Sequence, residues 1–205
     1  MLLLLLLPIL QIDDVWAADQ RNASGGIEAD HSKFPSGMPA FAAFLNQRHM
    51  KLGLYTARAV RTCSGAMPGS LGHEAQDAAT FAAMGAEFLK NDDCGVVYAH
   101  AAQDYGAMQK AIAALPGVAM IHSVKAPDLG PIDAPHVCQF RRVGKDLKDT
   151  WQDTMRLLDT ANDESFLSKV GPGFFVDLDM RAHQPPSYCR HSLPGCLIPS
   201  CAHVC

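Results

Sequence analysis

Short apolar runs punctuate the chain, most of them closed by polar residues, and amphipathic stretches follow most of them. Residues 8–14 (PILQIDD), 52–55 (LGLY), 88–93 (FLKNDD) and 119–124 (AMIHSV) have the length and composition of buried strands. Residues 137–142 (VCQFRR) and 174–179 (FFVDLD) are less regular examples of the same pattern. Phe41, Phe44 and Leu45 fall at helical spacing, as do Tyr105, Met108, Ile112 and Leu115, and Trp151, Met155 and Leu158. At about 3.6 residues per turn each set lies on one face, which predicts three amphipathic helices. Strands alternating with helices over about 170 residues imply right-handed βαβ units, a parallel sheet and an α/β protein. Strand starts are roughly 15–45 residues apart, too irregular for a short-period solenoid. The link 125–136 (KAPDLGPIDAPH) is rich in proline and leaves no room for a useful helix.

The two ends differ from the middle. The ten apolar residues at the start (MLLLLLLPIL) have the length of a secretory h-region, about 7–15 residues. No Lys or Arg precedes them, and the one small-residue cleavage pattern, Val15-Trp16-Ala17, lies beyond Asp13-Asp14. A signal-like leader over 1–8 and an aberrant apolar start running into a buried strand both stay open. The last 24 residues hold four of the seven cysteines, Cys189, Cys196, Cys201 and Cys205, with three histidines among them. Their spacing matches no zinc-finger pattern, and the segment has no helical or strand periodicity. Residues 182–205 are therefore expected to form an irregular tail, and 9–181 the folded unit.

A chain of 205 residues that is 48% apolar and 19% charged can bury a real core, which excludes intrinsic disorder. Seventeen Lys and Arg against 21 Asp and Glu give a net charge of −4, with the basic residues scattered. That balance argues against a nucleic-acid partner. No stretch approaches 18 apolar residues, so no transmembrane helix is expected. There is no G-x-G-x-x-G, Walker A or G-x-S-x-G motif, which argues against nucleotide enzymes and serine hydrolases. The core has no His–carboxylate set at ligand spacing, so neither metal nor cofactor is expected.

Polar residues gather at the strand ends. Asp13 and Asp14 close the first expected strand, Tyr55 the second, and Lys90, Asp92 and Asp93 the third. Arg142 and Asp146 follow the fifth, and Asp177 and Asp179 close the last. In a parallel α/β sheet or barrel these C-terminal edges converge on one face, where ligands bind. Any single Asp there serves as a helix cap or turn former as readily as a catalyst. Several together, with one Lys and one Arg, suit a neutral, hydroxyl-rich ligand. A pair of such carboxylates can also cleave a glycosidic bond.

The segments QIDDVWA (11–17), FPSGM (34–38), KLGLYTA (51–57) and RVGKDLKDTW (142–151) carry a family likeness, as does VGPGFFVDLDM (170–180). The most specific is TCSGAMPGSLGHEAQDAATFAAMGAEFLKNDDC (62–94). Together they resemble the α-galactosidase (melibiase) family of glycoside hydrolases, family 27, over about residues 9–180. The resemblance implies a (β/α)₈ TIM barrel, here truncated to strands two to seven, and a retaining mechanism on terminal α-linked galactose. Asp92, in a Lys-x-Asp-x-Cys motif, matches the nucleophile, and Asp146, four residues after Arg142, matches the acid/base. Lys90 is expected to keep Asp92 ionised, and a drier pocket to raise the pKa of Asp146. Asp13 and Asp14 match the pair that holds galactose hydroxyls, and Tyr55, Lys90, Arg142 and Asp179 match other sugar contacts. Cys63 and Cys94 match a family disulfide, which suits an oxidising, secreted or lysosomal setting. The resemblance also allows a homodimer, and the sequon Asn22-Ala23-Ser24 fits the same setting.

The departures are specific. Within these 205 residues no match is expected to the family's first and eighth strands or its C-terminal β-domain, and six strands taken alone would leave two sheet edges exposed. Ser-Cys-Glu-Trp after the family's fifth strand becomes Ser123-Val124-Lys125-Ala126. The residue at the sugar 2-position is thus Lys125, and Cys138 loses its usual partner to Val124. The cysteine expected after Asp14 is Val15, and the tryptophan before Arg142 is Arg141. Two alternatives therefore stand beside an active α-galactosidase. One is a catalytically inactive fragment or pseudoenzyme; the other is an α-N-acetylgalactosaminidase.

Overall fold

The computed structural model describes residues 8–94, 100–125, 137–142, 144–148, 150–163 and 170–177. Ten elements follow one another: β1 (Ile9–Gln11), α1 (Gly37–Asn46), β2 (Lys51–Ala57), α2 (Glu74–Ala83), β3 (Ala86–Asp92), α3 (Ala101–Ala113), β4 (Ile121–Lys125), β5 (Phe140–Arg142), α4 (Trp151–Ala161) and β6 (Phe175–Asp177). The six strands make one parallel sheet in sequence order, the arrangement that successive right-handed βα crossovers produce. Each lies within or across a segment expected from its apolar run. Most of the link 125–136, the leader through residue 7 and the tail from residue 178 lie outside the described residues.

Alternation along the strands divides the sheet into two faces. Leu52, Leu54 and Leu89 point to the face covered by helices, where they join Met38, Leu45, Phe81, Met108 and Ile112 in the main core. Trp16 is buried in the same cluster, its ring edge-on to Phe81 and its indole N–H donating to the Tyr55 carbonyl at 2.8 Å. A smaller cluster of Ala101, Tyr105, Val124, Val137, Cys138 and Phe174 continues the core behind β4 and β5. The loop after β2 folds back closely, with Gly69 so near the chain that a Cβ there would lie 2.1 Å from the Ala59 carbonyl oxygen.

The helices partly revise the expected faces. α1 buries Met38, Ala42 and Leu45, whereas Phe44 is exposed, stacked on Phe41 and under the Arg48 guanidinium. α3 buries Tyr105, Met108 and Ile112 as expected. α4 buries Leu157 rather than the Trp151–Leu158 stripe, and Trp151 is 76% exposed. α2 gave no clear apolar period because its inward face is Asp77, Ala78 and Phe81. The buried Asp77 holds Arg21 through two parallel N–H···O bonds of 2.7 and 2.8 Å, and Arg21 also donates to the Gly25 and Gly69 carbonyls. This fork ties the excursion after β1 to α2.

Two more buried polar systems lie on the helix side. Arg58 pairs with Asp93 at 3.0 Å and with Asp104 of α3 at 2.9 Å. Burial pushes the Asp93 carboxyl up, while the Arg58 charge opposes that shift. His122 of β4 is fully buried, with Nδ1 facing the Val137 carbonyl at 3.1 Å and the Gln109 side-chain oxygen at 3.2 Å. Its Nε2 is 3.3 Å from the Asn91 amide nitrogen, which fixes the neutral tautomer with the proton on Nδ1.

Two predictions follow from these groups. Removing one member of the Arg21–Asp77 pair leaves a buried charge, so Arg21→Ala should destabilise the fold by about 3–5 kcal/mol in urea unfolding. An unchanged midpoint and slope would show that the fork is not structural. Desolvation lowers His122 from 6.5 to about 4 in the folded chain, so the unfolded state binds this proton first. Its contribution, about 3 kcal/mol, is present above pH 6.5 and lost as pH falls toward 4. An imidazole NMR titration of His122 with a midpoint near 6.5 would refute this.

Candidate functional site

The sheet face opposite the helices carries the chemistry, and strand register sets who stands beside whom. Tyr55 pairs with Lys90, and Lys90 with Ser123. One step further along, Ala57 pairs with Asp92, Lys125 with Arg142, and Arg142 with Asp177. Residues two apart on a strand share a face, so the C-terminal row gathers Asp92, Lys125, Arg142 and Asp177 above a row holding Tyr55, Lys90 and Ser123. A cavity of about 180 Å³ opens here, lined among others by Gln11, Lys90, Ser123, Lys125, Arg142 and Asp177.

A continuous chain of polar contacts includes three of the lining residues, Lys90, Lys125 and Arg142. Asp13, just beyond β1, accepts from the Lys90 ammonium at 2.7 Å and from the Gln11 side chain at 3.2 Å. The Lys90 ammonium stands 5.3 Å from the centre of the Tyr55 ring. The Tyr55 hydroxyl is 3.1 Å from Asp92 Oδ2 and 3.0 Å from Cys63 Sγ, either of which can accept its one proton. Burial, then the charge of Asp92, raises the Tyr55 pKa far above the usual phenol range, so the hydroxyl stays a donor. Lys125 Nζ lies 3.4 Å from Asp92 Oδ1 and 3.4 Å from Asp146 Oδ1. Arg142 closes the chain with a charged hydrogen bond to Asp146.

Backbone contacts aim these groups. The Asp93 N–H donates to Asp92 Oδ1 at 2.8 Å, while the Asp93 side chain turns to Arg58 on the other face. The Asp14 carboxylate is taken up by the N–H groups of Val15 at 2.7 Å and Ser64 at 2.9 Å. Val15 adopts φ +71°, a left-handed conformation that strains a β-branched residue. The turn is held in part by the Lys33 ammonium on the Val15 carbonyl.

The site thus brings together Asp13, Tyr55, Lys90, Asp92, Arg142 and Asp146, with Asp14 beside them on backbone donors. Asp179 lies outside the described residues. The disulfide Cys63–Cys94 joins the loop after β2 to the end of β3. Cys63, Asp92 and Cys94 place potential ligand atoms within 4.8 Å of one another, but the sulfurs are bonded to each other and offer no thiolate.

The ion pairs around the two aspartates differ from the simplest reading of the sequence. Lys90 pairs with Asp13 at 2.7 Å, and Lys125 brings an ammonium to 3.4 Å from Asp92, a contact the sequence did not indicate. Asp146 is not raised: desolvation pushes it up, but the hydrogen bond and charge of Arg142, together with Lys125, hold it below the ordinary carboxylate range. Its side chain is 82% exposed, and the two cations together outweigh what desolvation it has. The sequence placed both Asp177 and Asp179 at the end of the last strand, and the family resemblance marked Asp179 as the sugar contact. Of the two it is Asp177 that lines the cavity among the described residues. The alternation of FFVDLD was visible, but only the pairing of β6 with β5 places Asp177 beside Arg142.

Comparisons with known proteins identify the family. The melibiase family model described as "Alpha galactosidase A" matches residues 7–183. The chain belongs to the alpha-galactosidase (melibiase) family. It is 35% identical to alpha-galactosidase 2 of Arabidopsis thaliana over 175 residues, covering 83% of this chain and 43% of that protein. Human alpha-galactosidase A is 33% identical over 181 residues, 83% of this chain and 42% of its own length. The alpha-N-acetylgalactosaminidase of Gallus gallus is 32% identical over 181 residues, covering 83% and 44%. The alpha-galactosidase structure from Saccharomyces cerevisiae superposes with a TM-score of 0.75 at 25% identity, covering 84% of this chain and 43% of that one. Alpha-galactosidase I of Mortierella vinacea gives 0.72 at 25% identity, covering 86% and 50%. The six-stranded sheet is therefore part of a (β/α)₈ barrel, and the chain spans less than half the length of these curated relatives.

Behind the cavity, Cys138 is a free, buried thiol in one small cluster with Val124, as the loss of its family partner implied. Burial pushes its pKa to about 12, against the opposing charge of Arg141. Cys138 should therefore resist iodoacetamide at pH 8 in the native protein and react on denaturation, read by peptide mass spectrometry. Rapid native labelling at Cys138 would contradict its burial.

Proposed function

We propose that this chain carries the sugar-cleaving centre of a retaining α-galactosidase acting on terminal α-D-galactosyl groups. The observation that supports it best is the shared ammonium between Asp92 and Asp146. Two contacts of 3.4 Å to one nitrogen limit the facing oxygens to about 7 Å apart, a range that includes the ~5–5.5 Å of retaining pairs. Family membership adds its weight, since the relatives named above are alpha-galactosidases and an alpha-N-acetylgalactosaminidase.

In this reading Asp92 attacks the anomeric carbon from its buried seat while Asp146 gives its proton to the glycosidic oxygen. The C1–O bond breaks, the aglycone leaves as an alcohol, and a galactosyl ester remains on Asp92. Asp146, now a carboxylate, takes a proton from water, whose oxygen attacks C1 and releases Asp92. Tyr55 places its hydroxyl 3.1 Å from Asp92 and can orient the carboxylate for attack. Asp13 and Lys90, already paired, offer an acceptor and donors for sugar hydroxyls. Asp14, Arg142 and Asp179 complete the proposed contacts. The Cys63–Cys94 disulfide suits a secreted or lysosomal compartment. Among the described residues, no helix is long and apolar enough to cross a membrane.

A second reading, a catalytically inactive member of the family, is favoured by one feature: Lys125 lies between the two carboxylates. The deciding experiment is hydrolysis of 4-nitrophenyl α-D-galactopyranoside by the 205-residue chain. Asp92→Asn should lower kcat by ~10³-fold or more, the equivalent of at least about 4 kcal/mol of transition-state stabilisation. Asp146→Asn should cost more on a disaccharide than on the nitrophenyl substrate, whose leaving group needs little protonation. Equal turnover by wild type and Asp92→Asn would reject the nucleophile. A folded wild type without turnover would favour the inactive reading.

A further inference from the structure

Lys125 has few ways to point other than into the cavity. Its neighbour Val124 is buried in the cluster with Cys138 and Phe174, so alternation sends Lys125 to the opposite face. Its carbonyl oxygen accepts the Tyr105 hydroxyl at 2.7 Å, which anchors the end of β4 from α3. Its Cα partner across the ladder is Arg142, the residue that binds Asp146. The stem thus delivers one ammonium to a position 3.4 Å from Asp92 and 3.4 Å from Asp146.

We propose that Lys125 is a tethered cationic occupant of the cleavage point, cross-linking the two carboxylates where a sugar's anomeric carbon would stand. The proposal rests on the glycosidase reading for its catalytic meaning, but its physical content is independent of that reading. A pair of carboxylates arranged around a glycosidic bond stabilises a transition state with positive charge at C1. An ammonium in the same place already satisfies that arrangement in the resting protein. Stabilising the resting site and not the transition state raises the barrier, and an incoming glycoside must first displace Lys125. The same contact favours the carboxylate form of Asp146, whereas the first step needs the acid form.

The groups facing the pair come from every neighbouring strand. Tyr55 of β2 donates to Asp92, and Arg142 of β5 binds Asp146. Among the described residues, Lys90 of β3 and Asp177 of β6 line the same cavity, Asp13 after β1 holds Lys90, and the charges of Asp14 and Asp93 also act on this group. Among the described residues, Arg142 remains on Asp146 when Lys125 is removed. The Asp146 carboxyl should then titrate higher but still under the influence of its arginine.

The test compares wild type with Lys125→Met, which keeps the stem and loses the charge, and Lys125→Arg, which keeps the charge. Lys125→Gln takes the place of Lys125→Met if that variant fails to fold. Carboxyl ¹³C NMR on aspartate-labelled chain reads the titration of Asp92 and Asp146, and 4-nitrophenyl α-D-galactopyranoside reads turnover against pH. The uncharged variant should move the Asp146 midpoint upward, raise kcat about tenfold, and carry the alkaline limb of the rate profile to higher pH. Lys125→Arg should do none of these. Unmoved midpoints for both aspartates in the uncharged variant would overturn the proposal, as would measurable but equal turnover and equal pH limbs. A raised Asp146 midpoint with no turnover from either protein would reject the galactosidase reading and leave the Lys125 cross-link standing.

Discussion

The parallel ladder of β2, β3 and β4 is the constraint on which the rest of the molecule depends. Its register puts Tyr55 beside Lys90 and Lys90 beside Ser123, with Asp92 one row above. Side chains alternate with period two, so a slip of one residue in β3 would send Lys90 and Asp92 to the helix side and Leu89 and Asn91 into the cavity. The apolar cost of exposing Leu89, with the loss of its partners Leu52 and Leu54, makes such a slip unfavourable. The hydrophobic core thus fixes the face on which Lys90 and Asp92 stand.

Buried charge is treated in two ways on the two faces. On the helix side, Arg21 with Asp77, and Arg58 with Asp93 and Asp104, are closed systems that join loop to helix and strand to helix. On the cavity side, Asp13, Lys90, Tyr55, Asp92, Lys125, Asp146 and Arg142 form an open chain of contacts that ends at the solvent. The closed systems fix geometry, because removing either partner strands a charge in a poor dielectric. The open chain can exchange partners, because a sugar hydroxyl can both donate and accept. Adjacent residues in one sequence, Asp92 and Asp93, belong to different systems only because a strand turns successive side chains to opposite faces.

Much of this was legible in the chain. Apolar runs, most of them closed by polar residues, marked all six strands, and the strand ends named Lys90, Arg142 and Asp177 of the cavity lining. α2 was not legible, because Asp77 stands on its inward face and is tolerated only through Arg21, 56 positions away. The Trp151–Leu158 stripe had helical spacing, yet burial depends on what the helix packs against, and Leu157 alone is buried in α4. Which cation serves which aspartate was also beyond the sequence. Lys90 is two residues from Asp92 but reaches Asp13, while Lys125, 33 positions on, reaches Asp92.

The sequence by itself determined the fold class, the order of the strands, the family and the chemical identity of the groups available at the sheet's C-terminal edge. These depend on local period, composition and motif, which are properties of neighbouring residues. The tertiary structure alone decided the pairing of those groups: Lys90 to Asp13, Tyr55 to Asp92, and Lys125 to both Asp92 and Asp146. It also decided that Asp146 is held ionised by Arg142 and Lys125 instead of being raised in a dry pocket. The reason is distance. Electrostatic interactions are set by separations of a few ångströms and by local solvent, and only the closing of strand against strand fixes either one.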